Sequence, residues 1–122
     1  GVQLDLMGQE NAESVGTRQL SGIGGQMDFL EGAFRSKGGK GFICINSSRV
    51  TKDGQRKSNI LATIPGGSTI SAPRTMIQYV ATEYGIASLS GKTLRERAEA
   101  MASIAHPDFR EELLKYAREN FK

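Results

Sequence analysis

Cysteine occurs once, at Cys44, histidine once, at His106, and tryptophan not at all. One thiol excludes an intrachain disulfide and any Cys-x-x-Cys metal motif, and a lone imidazole without a soft partner argues against a zinc site. No apolar run approaches the ~20 residues that span a bilayer. The opening GVQLDLMGQE also lacks the basic-then-apolar order of a secretory signal. Charge of one sign is scarce too: sixteen Lys and Arg against thirteen Asp and Glu leave +3. That is too little for a nucleic-acid surface, yet it suits a small ligand bearing phosphates. These absences predict a cytoplasmic protein with no metal, membrane or nucleic-acid partner.

What is present fits one domain with a modest core: 122 residues, 38% hydrophobic and 24% charged. Val2, Leu4 and Leu6 alternate with Gln3 and Asp5, as in a half-buried strand. The pattern starts at once after Gly1, without an initiator Met, as expected of a piece of a longer chain. Thr17 to Leu20 reads as a second short strand, and Met27, Leu30 and Phe34 recur at helical spacing. Phe42 to Ile45 is a continuous apolar run, as in a strand covered on both faces. Asp53-Gly54 marks a hairpin, Ile60 to Ile64 another apolar run, and Tyr79 to Thr82 a third strand of the buried type. Thr93 and Glu96 are spaced as a capping box ahead of a helix presenting Leu94, Ala98, Met101 and Ala105. Pro107 ends that helix and opens the last one, whose apolar side is Phe109, Leu113, Ala117 and Phe121. Strands mixed with amphipathic helices predict an α/β fold, an open mixed sheet flanked by helices.

The sharpest local feature is Gly22-Ile23-Gly24-Gly25-Gln26 at a strand-to-helix junction. Glycines let a ligand approach the backbone, and the free N–H groups of a helix start favour negative charge. Such a turn can hold a phosphate or an oxyanion. The dinucleotide fingerprint fails because Met27 stands where its third glycine belongs, and no Gly-Lys-Ser/Thr follows for a Walker A loop. By itself the turn is equally consistent with a tight connection that binds nothing.

The segment Asp5-Leu6-Met7-Gly8-Gln9-Glu10-Asn11-Ala12-Glu13-Ser14 resembles the D-L-x-G-Q-x-N-A-E-S stretch of the acetyl-CoA hydrolase/transferase family. SGIGGQMDF at 21–29 is similar to that family's glycine turn. TEYGIA at 82–87 with Leu89, GKTLRERAE at 91–99 and IAHPDFRE at 104–111 follow in the family's order. Gln26 and Tyr84 are similar to the branch holding 4-hydroxybutyrate and butyrate CoA-transferases. The resemblance implies that residues 1–122 are the C-terminal domain of an enzyme passing coenzyme A between a short-chain acyl-CoA and a small carboxylate such as acetate. A glutamate attacks the thioester and becomes a glutamyl-CoA thioester, from which a second carboxylate takes the CoA. That glutamate lies upstream in the family, so the implied partners are the N-terminal part of the same enzyme and, in the full-length enzyme, a second copy in a homodimer. The oxyanion donor maps to the backbone of Gly24 or Gly25. The candidates for contact with CoA are Gln26, Lys40 and Glu83.

Glu83 ends a predicted strand, where α/β folds place ligands; its plainer reading, slightly preferred, is a structural carboxylate bonded to a nearby loop. Lys40, beside Gly38-Gly39, is the better candidate for CoA phosphates than Arg49, Lys52, Arg56 and Lys57, whose hairpin charges read as solvated. Arg74 is a further candidate for the cleft. His106 reads as a helix cap or a partner of the backbone rather than a general base, and Cys44 as an inert core thiol. Two other functions stay open: an acyl-CoA hydrolase on the same scaffold, and a non-catalytic ligand-binding module.

Overall fold

A computed structural model describes residues 1–122. In chain order the elements are β1 (Gln3–Asp5), β2 (Glu10–Asn11), β3 (Ser14–Val15), β4 (Arg18–Gln19), α1 (Gln26–Arg35), β5 (Phe42–Cys44), β6 (Ser48–Val50), β7 (Arg56–Ser58), β8 (Ile60–Leu61), β9 (Tyr79–Thr82), β10 (Gly85–Ser88), α2 (Leu94–Ser103) and α3 (Pro107–Asn120). The α/β class and the mixed pairing agree with the sequence. The strands divide, however, between two three-stranded sheets and two hairpins. In the first sheet β1 runs antiparallel to β2 and parallel to β8; in the second β9 runs parallel to β5 and antiparallel to β10. The chain at Asn46–Ser47 bonds to Asn59 and joins the two: Asn59 N–H donates to Ser47 O at 2.8 Å, and the Asn59 side chain to Asn46 O at 2.9 Å. No helix is long and apolar enough to cross a membrane.

One hydrophobic core serves both sheets. Leu4, Leu6 and Ile60 come from the first, Ile43, Val80 and Ala87 from the second, and Ala98, Met101, Leu113 and Ala117 from α2 and α3. Each fully buried Leu, Ile, Val or Met side chain contributes about 1.5–3 kcal/mol from leaving water, and the alanines less. Thr93 caps α2 with the reciprocal Thr93–Glu96 bonds expected from the spacing. Of the helix's four expected core positions Ala98, Met101 and Ala105 are buried, whereas Leu94 is exposed. Helix α1 is anchored differently: only Leu30 is buried, and Phe29 is 82% exposed.

Two expectations fail at β5. Strand residues alternate between faces, so Ile43 turns into the core while Phe42 and Cys44 turn to the other face, which no element of this chain covers. Cys44 is therefore an exposed thiol, not a core one. Phe42 meets its neighbour Tyr79 across the sheet, rings stacked with centroids 4.9 Å apart. Strand β9 is likewise buried only at Val80. The run at 60–64 forms a strand only over Ile60–Leu61. The hairpin at Asp53-Gly54 forms as expected between β6 and β7.

Candidate active site

The segment from Asp5 to Ser14 folds upon itself. The Asp5 carboxylate accepts from Met7 N–H and Gln9 N–H, both at 3.0 Å, and from the Gln9 side chain at 2.6 Å. This closes the turn between β1 and β2. Gly8, in that turn, has φ +86°, and a Cβ there would lie 2.8 Å from both the Arg97 guanidinium and Leu89. Only glycine fits. Asn11 Oδ1 accepts from Glu13 N–H and Ser14 N–H, and its amide donates to Ser14 O at 2.8 Å. Glu13 O then accepts the N–H groups of Leu20 and Ser21 at 2.7 and 3.2 Å, and so holds the start of the glycine turn.

The turn itself is bare. Residues Ser21 to Gly25 are exposed, and none of the N–H groups from Gly22 to Gly25 finds an acceptor. Gly24 takes φ +61°, open to glycine and strained for other residues. Gly25 caps α1 with no side-chain bond. Free donors at the start of a 10-residue helix, with the positive end of its dipole behind them, form a ready receptor for an anionic oxygen. Gln26, the first residue of α1, turns its amide inward and donates to Glu10 Oε1. Glu10 is fully buried, and burial pushes its pKa up; the backbone nitrogen of Gly1 lies 3.9 Å from Oε2.

A cleft of about 560 Å³ opens at the carboxyl ends of the parallel pair β5 and β9. Cys44, Asn46, Asn59, Thr82 and Glu83 line it, and Gly1 lies at its wall. Since Gly1 also neighbours Glu10, the cleft and the base of the glycine turn share that corner. Glu83 stands in the two-residue connection between β9 and β10 and is exposed. Its carboxylate accepts Ser47 N–H at 2.7 Å, and this bond holds its pKa below the usual carboxylate range. The loop contact foreseen for Glu83 is present, and the residue also lines the cleft.

The other candidates are dispersed. Lys40 is exposed ahead of β5, at the end of that strand opposite the cleft, and is not among the cleft's lining residues. Arg74 donates to Met7 Sδ at 3.2 Å, away from the cleft. In the hairpin, Arg56 donates to Ser48 Oγ at 2.8 Å and Arg49 to Asn59 Oδ1 at 2.6 Å, so Arg49 braces a cleft residue. His106 caps α3, its Nδ1 accepting Asp108 N–H at 3.2 Å, as the His-Pro junction suggested. No group of three or more His, Cys, Asp or Glu side chains is placed to hold a metal ion. Asn46, Ser47 and Asn59 escaped the sequence reading. For Asn46 and Ser47 the signal was positional: polar residues just after a strand that pairs in parallel, where ligands collect; Asn59, after the antiparallel β7, carried none.

Comparison with known proteins matches this description. Residues 1–117 fit the model of the acetyl-CoA hydrolase/transferase C-terminal domain. The chain is 49% identical over 116 residues to the butyryl-CoA:acetate CoA-transferase of Anaerostipes caccae, covering 95% of this chain and 26% of that protein. It is 48% identical over 120 residues to the 4-hydroxybutyrate coenzyme A transferase of Clostridium kluyveri, covering 98% of this chain and 27% of the other. Among solved structures, RipA from Yersinia pestis superposes with a TM-score of 0.82 at 39% identity, over 97% of this chain and 26% of that one. The chain thus spans about a quarter of the length of the relatives it matches, and it belongs to the acetyl-CoA hydrolase/transferase family.

Proposed function

We propose that residues 1–122 are the C-terminal domain of a CoA-transferase that moves coenzyme A from a short-chain acyl-CoA to a small carboxylate such as acetate. The covalent glutamyl-CoA thioester forms on a glutamate outside this chain. Attack of that glutamate on the thioester carbonyl expels CoA thiolate and leaves an acyl-glutamyl anhydride. The thiolate then attacks the glutamyl carbonyl and releases the first carboxylate. The acceptor carboxylate runs the same steps in reverse, and each addition creates an oxyanion. The backbone of Gly24 and Gly25 receives it. The cleft at the ends of β5 and β9 takes part of the CoA chain, with Glu83 at its edge; Gln26 and Lys40 are the remaining candidates for contact with CoA. The enzyme acts in the cytoplasm as a homodimer, with the upstream part of its own chain as the nearest partner.

One observation carries this reading: the N–H groups of a glycine-rich turn at a helix start have no acceptor within the chain. A merely connecting turn has no need of three glycines at four successive positions. Gly25→Pro removes one N–H, at the cost of a shift of about 30° in φ from the −93° seen at Gly25. Loss of one oxyanion donor lowers kcat by roughly 10²–10³-fold. The test is steady-state exchange by the intact enzyme with Gly25→Pro and with Gly24→Val. Wild-type turnover in both variants would refute the oxyanion role. Acetate present or absent separates the two chemistries: acyl transfer to added acetate supports the transferase, and release of free CoA alone supports a hydrolase.

A further inference from the structure

Glu10 is a fully buried carboxylate that this mechanism does not use. Burying a carboxylate is costly unless it is paired, and one of its oxygens, Oε2, has no hydrogen-bond partner. Its other oxygen holds the Gln26 side-chain amide at the first residue of α1. We propose that Glu10 is a positioning residue for the glycine turn: through Gln26 it sets the first turn of α1 and with it the direction of the Gly24 and Gly25 N–H groups. The inference rests on the reading of that turn as the oxyanion donor.

The turn has few other restraints. On its strand side the last anchors are the bonds of Leu20 and Ser21 to Glu13 O. Across the next four residues no N–H is bonded, and a Cβ at Gly22 or Gly24 would meet nothing within 4 Å. Gly25 supplies no side-chain cap, and α1 buries only Leu30 further along. Three glycines in such a stretch leave the backbone free to wander. The Gln26–Glu10 bond is the tie on the helix side. Glu10 is itself rigid: its N–H donates to Ala72 O at 3.0 Å, its carbonyl accepts Ser71 N–H at 2.7 Å, and it pairs with Leu4 across β1. Both anchors of the turn therefore belong to the segment from Asp5 to Ser14. Donors that must meet a developing oxyanion tolerate little displacement, since a misplacement near 1 Å can cost about 10²-fold in rate.

The test compares three forms of the intact enzyme in acyl-CoA:acetate exchange. Gln26→Glu sets two carboxylates against each other, Gln26→Met removes the donor at similar volume, and the exchange Glu10→Gln with Gln26→Glu rebuilds the bond with donor and acceptor reversed. Both single variants should lose roughly 10-fold or more in kcat, with the acyl-CoA KM held within about 2-fold, and the exchange should return kcat to within about 3-fold of wild type. Wild-type kcat in Gln26→Met overturns the proposal. So does an exchange form as slow as Gln26→Glu, or a raised KM at unchanged kcat, which would make Gln26 a direct CoA contact. If Gln26→Glu does not fold, as judged by circular dichroism, Gln26→Met and the exchange form decide the matter. Slow glycine variants beside a fast Gln26→Met remove the positioning role alone, whereas fast Gly25→Pro and Gly24→Val remove the oxyanion reading beneath it.

Discussion

Replacing Arg97 should destabilise this domain more than replacing any other of its arginines, and the structure gives the amount. Arg97 projects from α2 and is half-buried; burial lowers its pKa, and it stays charged. Its guanidinium donates to Met7 O through Nε at 3.0 Å and Nη2 at 2.8 Å, to Arg74 O at 2.8 Å and to Leu89 O at 3.1 Å. Three segments far apart in sequence are thus tied by one side chain. Arg97→Met keeps the length of the stem and removes every donor. Arg74 is exposed, so its carbonyl regains water at little cost. The carbonyls of buried Leu89 and half-buried Met7 do not regain it fully, at about 1–1.5 kcal/mol each. The sum is about 2–3 kcal/mol, which corresponds to a fall in Tm of about 10 °C for a chain of this size. Lysine brings a single ammonium in place of the planar fork and should recover less than half of it. Arg35→Met is the contrast: that side chain is 78% exposed and paired only with Glu31 at i,i+4, a contact of about 0.3–0.5 kcal/mol. Urea unfolding of the 122-residue chain, followed by far-UV circular dichroism, measures all three. If Arg97→Met costs no more than Arg35→Met, the three carbonyls are not held as described.

Two further outcomes follow from the cleft. The depressed pKa of Glu83 means that its contribution to stability is fully present above the usual carboxylate pKa and is lost as pH falls through the lowered value; Glu83→Gln should therefore be less stable than wild type at neutral pH, the difference closing in acid, and a pH-independent difference in thermal melts would contradict the Ser47 bond. Cys44, exposed on the cleft wall, should react with a disulfide reagent in the folded chain without denaturant, and in the intact enzyme a bound acyl-CoA should slow that reaction, whereas protection in the folded chain alone would return the thiol to the interior.

Much of the fold was legible because local chemistry and final structure agree. Thr93 and Glu96 fix the start of α2 by a bond that spans a single turn, and the His-Pro junction fixes the start of α3. Asp53-Gly54 specifies its hairpin in the same local way. What escaped the sequence depends on partners distant along the chain. Phe42, Ile43 and Cys44 form an unbroken apolar run, and nothing in the run says that only Ile43 meets the core. Arg97 looks like an ordinary helix-surface charge until Met7, ninety residues earlier, is brought beneath it. Strand β10 was missed because Glu83-Tyr84 is not a typical hairpin turn pair, yet Gly85 at φ +144° lets the chain reverse there. The site divides along the same line. The glycine turn is a local signal, while Asn46 and Asn59 reach the cleft only because Asn59 bonds back to Asn46 and Ser47.

The polar residues of this chain fall into two physical classes, and the division separates scaffold from proposed site. In the segment from Asp5 to Ser14, Asp5, Asn11 and Ser14 are buried and their side chains are bonded within the segment. Such groups are costly to bury unless paired, so they specify one geometry and are poorly suited to bind anything that comes and goes. The N–H groups of Gly22 to Gly25 are the reverse: exposed, unpaired and ahead of the start of α1. They lose little in the free state because water reaches them, and they gain most when a charged oxygen displaces that water. Glu10 is the exception within the scaffold, half-satisfied and bonded across to α1. A buried carboxylate left in that condition, where the rigid segment ties the first residue of α1, is where the two classes meet. It follows that substitutions among Asp5, Asn11 and Ser14 should register first as lost stability, and substitutions at Glu10 and Gln26 first as lost turnover.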